Sequence, residues 1–277
     1  MRRFLILGKV LLALVLFMGL GGVASSLVLG TDASGSEWKL VIISALSMMI
    51  PAMLLFMAFE RGKGWSIGLR QSSAVACALQ GIGLGILLIS IVAIAIWICG
   101  GVEFQSVHTD ADTWTSVLAG VGLFTLVAIS EEVFNRGYLQ GLLQRQYGVA
   151  AGVVISSIIF ALLHGANPGI WSTPFTMINI FLIGIFFALT RVMTGGLWLP
   201  IGFHLAWNFF QGNVYGFAVS GTETKPILSI LVNGDSLISG GSFGVEGSIL
   251  TTILMVLVCG ICMKLYAQRE QNIHVAS

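Results

Sequence analysis

Charge is what this chain has least of: Asp, Glu, Lys and Arg make up 9% of its 277 residues and hydrophobic residues 56%, where a soluble domain carries about 25% charge. With a mean hydropathy of +0.96, that scarcity excludes an ordinary soluble domain and indicates a polytopic membrane protein. The formal net charge of +1 offers no electrostatic footprint for nucleic acid. Cysteine is nearly as rare. Cys77, Cys99, Cys259 and Cys262 fall inside or at the edge of apolar runs. One C-x-x-C without a second pair makes neither a zinc nor a disulfide framework, so all four read as small buried apolar residues. Several motifs are also missing. No H-E-x-x-H occurs, and no G-x-S-x-G accompanies the histidines. Gly81-Ile82-Gly83-Leu84-Gly85 follows no strand and is no dinucleotide fingerprint; within a span, such glycines permit close helix contact. The absence of a visible internal repeat counts against an inverted-repeat transporter.

What is present is a succession of apolar runs. Those long enough to span a bilayer, about 17–25 residues, cover roughly 10–30, 40–59, 72–99, 115–143, 149–164, 174–190, 197–219 and 247–266. The expected fold is therefore all-α, a bundle of about eight transmembrane helices. Placing the N-terminus inside puts Arg2, Arg3, Lys9, Arg61, Lys63, Arg70, Arg136, Arg145, Arg191, Lys264 and Arg269 on the inner side, and leaves only Lys39 and Lys225 outside. That positive-inside bias predicts an integral protein of the cell membrane with both termini in the cytoplasm. The outer loops then carry Asp32, Glu37, Glu103, Asp110, Asp112, Glu223, Asp235 and Glu246. The first run, between Arg2-Arg3 and Val23-Ala24-Ser25, shares features with a secretory signal peptide but exceeds the usual apolar region of about 7–15 residues. Residues 220–247 are rich in Gly, Ser and turn residues and read as an outer loop touching the interface through Ile227–Val232. A single domain is expected, in three parts: helices one to three (1–114), a core (115–219), and the loop with the last helix and polar tail (220–277).

The core is marked by charge where none is cheap. After seventeen uncharged residues, Trp114 to Ser130, come Glu131, Glu132 and Arg136. A charge at bilayer depth costs at least ~2.5–3.5 kcal/mol, so intramembrane acids mark functional sites by default. On a helix, Glu132 and Arg136 stand at i,i+4 with the acid first, the favoured order for an ion pair, while Glu131 points about 100° away, on the face of Asn135. One carboxylate is spoken for, and the other is free to take and return a proton. His164 is the next isolated polar residue. If the fourth and fifth segments form a hairpin turning at Tyr147-Gly148, Glu131 and His164 lie at matching depth, ~24–26 Å from the turn at 1.5 Å per residue. In the seventh segment His204 and Asn208, at i,i+4 after Pro200, present an imidazole and an amide to one side. Such a pair alone is as readily interhelical glue as a site. His108 and His274 read as solvated surface residues.

Glu131-Glu132-x-x-x-Arg136, Phe160-x-x-x-His164 and His204-x-x-x-Asn208 resemble, in order and on separate helices, the CAAX prenyl protease and bacteriocin-processing (CPBP, or Abi) family of intramembrane proteases. The resemblance covers roughly residues 115–210, and Trp65-Ser66-Ile67-Gly68-Leu69 also looks like a stretch such proteins carry. It implies peptide-bond hydrolysis in a water-filled cavity of the bundle. Carried over residue by residue, it makes Glu131 the general base and has His164 hold the attacking water. His204 and Asn208 become oxyanion donors, with Glu132, Arg136 and Phe160 in support. The implied substrate is a prenylated C-terminal tail or a small peptide or membrane protein. Family members are often described as metalloproteases, and Glu131, His164 and His204 would form a His₂-carboxylate zinc set. A Glu-activated water needs no ion, and the metal-free mechanism is the expectation. A non-catalytic immunity or regulatory scaffold of the same fold is the alternative function, and a proton pathway or transporter a third.

Overall fold

The computed structural model describes residues 2–29 and 37–276; Asp32 lies outside them, as do the side chains of Arg2, Arg3, Glu37 and His274. The chain is a helical bundle with one small sheet. In order it forms α1 (Arg2–Leu29), α2 (Glu37–Phe59), α3 (Ala74–Ile98), β1 (Val102–Val107) and α4 (Ala111–Glu132). A fully buried π-helical stretch, Val133–Gln140, continues α4 into α5 (Gly141–Tyr147). Then come α6 (Val149–Leu163), α7 (Phe175–Thr194), α8 (Trp198–Phe209) with a second π turn at Phe210–Val214, β2 (Leu228–Val232), α9 (Ser236–Ser239) and α10 (Ile249–Ala276).

Several boundaries follow from local chemistry. The Asp110 carboxylate accepts the Thr113 backbone N–H at 2.9 Å and caps α4; that bond holds its pKa below the usual carboxylate value. Gly148, at φ +87°, turns the chain between α5 and α6, where the hairpin was expected. Gly195, left-handed at φ +70°, ends α7.

Eight apolar runs read as spans, but among the described residues six helices are long and apolar enough to cross a membrane: Leu5–Val28, Trp38–Phe59, Ala74–Ile98, Ala111–Tyr147, Phe175–Thr194 and Ile249–Asn272. The fifth and seventh expected spans are shorter: α6 has 15 residues, and α8 has 12 followed by the 5 of its π turn, at or below the lower end of the ~17–25 a crossing takes. Most of α8 is buried in protein, so its apolarity serves packing rather than lipid. The 220–247 segment also departs from expectation. Leu228–Val232 pairs antiparallel with Val102–Val107, adding a strand pair to the expected all-α fold. Past it the chain turns inward and buries Phe243, Val245 and Glu246.

Glycine sets the closest approach in the bundle. A Cβ on Gly81 would stand 2.1 Å from the Leu199 carbonyl oxygen, and one on Gly202 2.3 Å from that of Ala78. The backbones of α3 and α8 therefore touch, as small residues allow. Gly83, between Gly81 and Gly85, meets nothing within 4 Å and has no such role; nor do Gly19 and Gly22.

Two apolar clusters flank the middle of the molecule. One gathers Phe160, Phe186, Phe187, Phe203 and Trp207 with Phe243 and Val245 of the C-terminal segment. The other gathers Val10, Met48, Leu55, Ile67, Phe134 and Tyr138. The Trp65–Leu69 stretch wedges between elements of the second. Its Leu69 carbonyl accepts the Trp198 indole N–H at 2.8 Å, the Gly68 carbonyl accepts the Leu197 N–H at 3.0 Å, and Trp65 lies where a side chain on Gly141 would be. Trp65 also donates to Glu60 at 3.3 Å. That buried carboxylate is paired with Lys9, with Lys63 at 3.6 Å and with Arg145 at 3.9 Å. Burial alone would raise its pKa, but the Lys9 and Trp65 bonds hold it below the usual value.

Candidate active site

The π-helical stretch after Glu132 carries the supports. Arg136 is wholly buried and has three kinds of partner. Its Nη1 meets Glu132 Oε1 at 3.2 Å, its Nη2 donates to the Gly184 carbonyl at 3.2 Å, and its guanidinium lies over the rings of Phe160 and Phe187, 4.0 and 4.9 Å from their centroids. One turn on, Gln140 donates to the Ala188 carbonyl at 3.1 Å. Two side chains thus clamp two carbonyls of α7. Asn135 donates to the Glu131 backbone carbonyl at 3.0 Å, which ties the π stretch back to the last turn of α4. π turns of this kind occur often at functional sites.

Glu131 is left unpaired, as the helical spacing required. Its Oε2 has no partner within hydrogen-bonding distance, yet two imidazoles converge on it: His164 Nε2 at 4.0 Å and His204 Nε2 at 3.9 Å. Each ring is oriented by a bond at its other nitrogen. His164 Nδ1 lies 2.8 Å from the Phe160 carbonyl, which can only accept, so Nδ1 carries the proton. His204 Nδ1 lies 3.2 Å from Glu132 Oε1 and donates to it likewise. Phe160 packs its ring 4.7 Å from His164, and Phe187 stacks 5.1 Å from His204. Glu132 therefore bridges Arg136 and His204, a link the sequence reading did not contain. His164 is the C-cap of α6, at the end of the expected fifth run.

Glu131, Phe160, His164, His204 and Asn208 line one cavity of about 650 Å³. Its walls include Trp38, Val41, Met48, Phe124 and Val127 on one side, and Ser220, Thr222, Glu223 and Glu246 on another. Asn208 lies one turn beyond His204, largely buried, and its amide makes no hydrogen bond among the described residues. His108 is exposed and bonded to Ser106 at 3.0 Å, away from the site.

A zinc ion is not well matched by this arrangement. Tetrahedral ligands at about 2.0–2.1 Å from zinc stand roughly 3.3–3.4 Å apart, whereas both imidazoles are 3.9–4.0 Å from Glu131. Among the described residues no group of three or more His, Cys, Asp or Glu is set to hold a metal. Three lining or supporting residues escaped the sequence reading. Phe187 is one more aromatic among 17 phenylalanines and carries no signal. Gln211 continues the His204–Asn208 stripe at i+7 and could have been found by extending it. Glu246 is an isolated acid in a loop, and nothing local marks it.

Residues 113–210 match the family model described as Type II CAAX prenyl endopeptidase Rce1-like, the segment that carries Glu131, His164, His204 and Asn208. A stretch of 91 residues, 32% of this chain, is 26% identical to an uncharacterized 24.3 kDa protein of Escherichia coli. The match covers 40% of that relative's length.

Proposed function

From the match of residues 113–210 to the Type II CAAX prenyl endopeptidase Rce1-like model, we propose that this chain is a member of the CPBP (Abi) family of CAAX-type proteases and an intramembrane endopeptidase using a Glu131-activated water. The observation that carries the reading is the convergence of Glu131 Oε2 and His164 Nε2 at 4.0 Å with no bond between them. With His164 protonated at Nδ1, both atoms are acceptors. A water at ~2.8 Å from each donates one hydrogen to each, and its lone pair is left facing a substrate carbonyl. Glu131 removes a proton as the water adds, then returns it to the departing amine.

The tetrahedral oxyanion is met by Asn208 Nδ2–H and by His204. Because His204 Nδ1–H is engaged by Glu132, its Nε2 donates only when the ring is cationic, and the resulting imidazolium stands between the carboxylates of Glu131 and Glu132. Arg136, 3.2 Å from the same Glu132 oxygen, holds that carboxylate in place for this contact. Each preorganised donor contributes ~10²–10³ in rate. The cavity lining, which combines apolar side chains with polar ones, suits a peptide segment drawn from a lipid or interfacial setting, including a prenylated C-terminal tail. The cytoplasmic placement of both termini remains the reading of the charge bias.

Glu131→Gln keeps shape and removes the base. The expected outcome is loss of cleavage of a peptide library by the purified protein, with an unchanged melting temperature. Cleavage at the parent rate by that variant would refute the mechanism. Full loss of parent activity on chelation, restored by metal, would instead favour the zinc set.

A further inference from the structure

The cavity lining extends beyond the Glu131, His164 and His204 group to Glu246. His204, Trp207, Asn208 and Gln211 follow one another at i, i+3, i+4 and i+7 along α8 and its π turn, so they form one stripe. Gln211 ends it by donating at 2.9 Å to Oε2 of Glu246, which arrives from the segment before α10. The same Oε2 accepts the Ser220 backbone N–H at 3.3 Å. The other oxygen, Oε1, has no hydrogen bond among the described residues, and Glu246 lines the cavity while only 3% exposed. No cation pairs with it among those residues. Beside it the Trp207 indole N–H is buried without an acceptor. The cavity lining includes three carboxylates, Glu131, Glu223 and Glu246, and no Lys or Arg.

A carboxylate desolvated without a countercharge is costly unless something supplies the charge. Burial pushes Glu246 up to about 7, despite the bonds from Gln211 and Ser220, the nearby His204 and the Trp207 indole N–H turned toward it. On these grounds we infer that Glu246 is a binding site for a primary ammonium group of the substrate, a lysine side chain or a free amino terminus. Seven residues of helix separate His204 from Gln211, roughly 10 Å, the reach of about three residues of extended peptide. The site therefore reads a charge a few residues from the bond that is cut. The inference rests on the peptidase reading for its substrate class, but its test does not need cleavage.

Binding is measured on Glu131→Gln protein in detergent with Ala- and Leu-rich peptides bearing a neutral dye. One is N-acetylated with a single lysine, one N-acetylated with norleucine in its place, and one has norleucine and a free amino terminus. At least one ammonium peptide is expected to bind about tenfold or more tighter than the neutral one, the low end of coupling between close charge pairs. Which of the two does so identifies the source of the charge. Adding Glu246→Gln, which still accepts from Gln211 and Ser220, should abolish the difference and leave neutral-peptide binding unchanged. Equal binding of all three peptides, discrimination that survives Glu246→Gln, or equal loss for all three peptides would overturn the inference; the last would make Glu246 only a pin for the loop. Discrimination by a protein that cleaves nothing would sink the peptidase reading and leave this site standing. Cleavage without discrimination would do the reverse.

Discussion

At the residue scale the decisive event is how one buried charge is compensated. Arg136 has no exposure, and an ion stripped of water at that depth persists only where partners meet it. Glu132, the Gly184 carbonyl and two aromatic faces meet it on most sides, and only its Nε is left without a partner. Arg136→Met leaves Glu132 buried with His204 as its sole partner of charge, and truncating one side of a buried pair costs about 3–5 kcal/mol. The expected result is a strongly lowered unfolding midpoint in detergent, largely restored by Glu132→Gln/Arg136→Met. A single variant as stable as the parent would mean that the pair contributes nothing. The spacing Glu132-x-x-x-Arg136 announced this pair, because i,i+4 geometry is local. The Glu132–His204 bond was not legible, since it joins residues 72 apart in sequence and depends on which face α8 turns inward.

At the element scale, helix packing is governed by where side chains are absent. Gly81→Ala would push a methyl to 2.1 Å from the Leu199 carbonyl oxygen, a backbone atom that cannot swing aside. Separation of α3 from α8 is expected to cost about 1–3 kcal/mol, the usual range for overpacking. Gly83→Ala, with nothing within 4 Å, should be neutral or stabilise by up to about 1 kcal/mol through helix propensity. Thermal unfolding of the two variants side by side checks this, and equal shifts would show that the α3–α8 contact is not tight. The sequence marks Gly81, Gly83 and Gly85 alike; only the helix phase against α8 separates them. For a related reason the expected count of eight spans is not confirmed by the six helices long and apolar enough to cross. Hydropathy reports that a segment avoids water, and a short helix buried in protein avoids water as well as one in lipid does.

At the scale of the whole molecule, the segment after α8 ties the C-terminal part to the core through Glu246, and this makes global stability depend on pH. Its carboxyl is raised to about 7 in the folded protein from 4.5. Between those values the folded state holds a proton that the unfolded chain has released, so this group makes stability fall as pH rises through that window. The loss is complete above about 7 and amounts to at most about 3 kcal/mol. His204 is the titratable group that faces it. Relative to the parent, Glu246→Gln should therefore gain stability progressively from pH 5 to pH 8. Unfolding midpoints of parent and variant across that range provide the measurement; parallel curves would show that the carboxyl does not carry the effect.

Composition alone determined that this is a membrane protein, because a chain with so few charges cannot cover a water-facing surface. Helical periodicity alone determined which glutamate is paired and which is free, since both partners of the pair lie within one turn. The distances from Glu131 to His164 and His204, the bridging role of Glu132 and the burial of Glu246 were decided only by the tertiary structure. Each depends on how separate helices rotate and slide against one another, and that is set by glycine contacts and aromatic packing spread over the whole chain rather than by any local pattern.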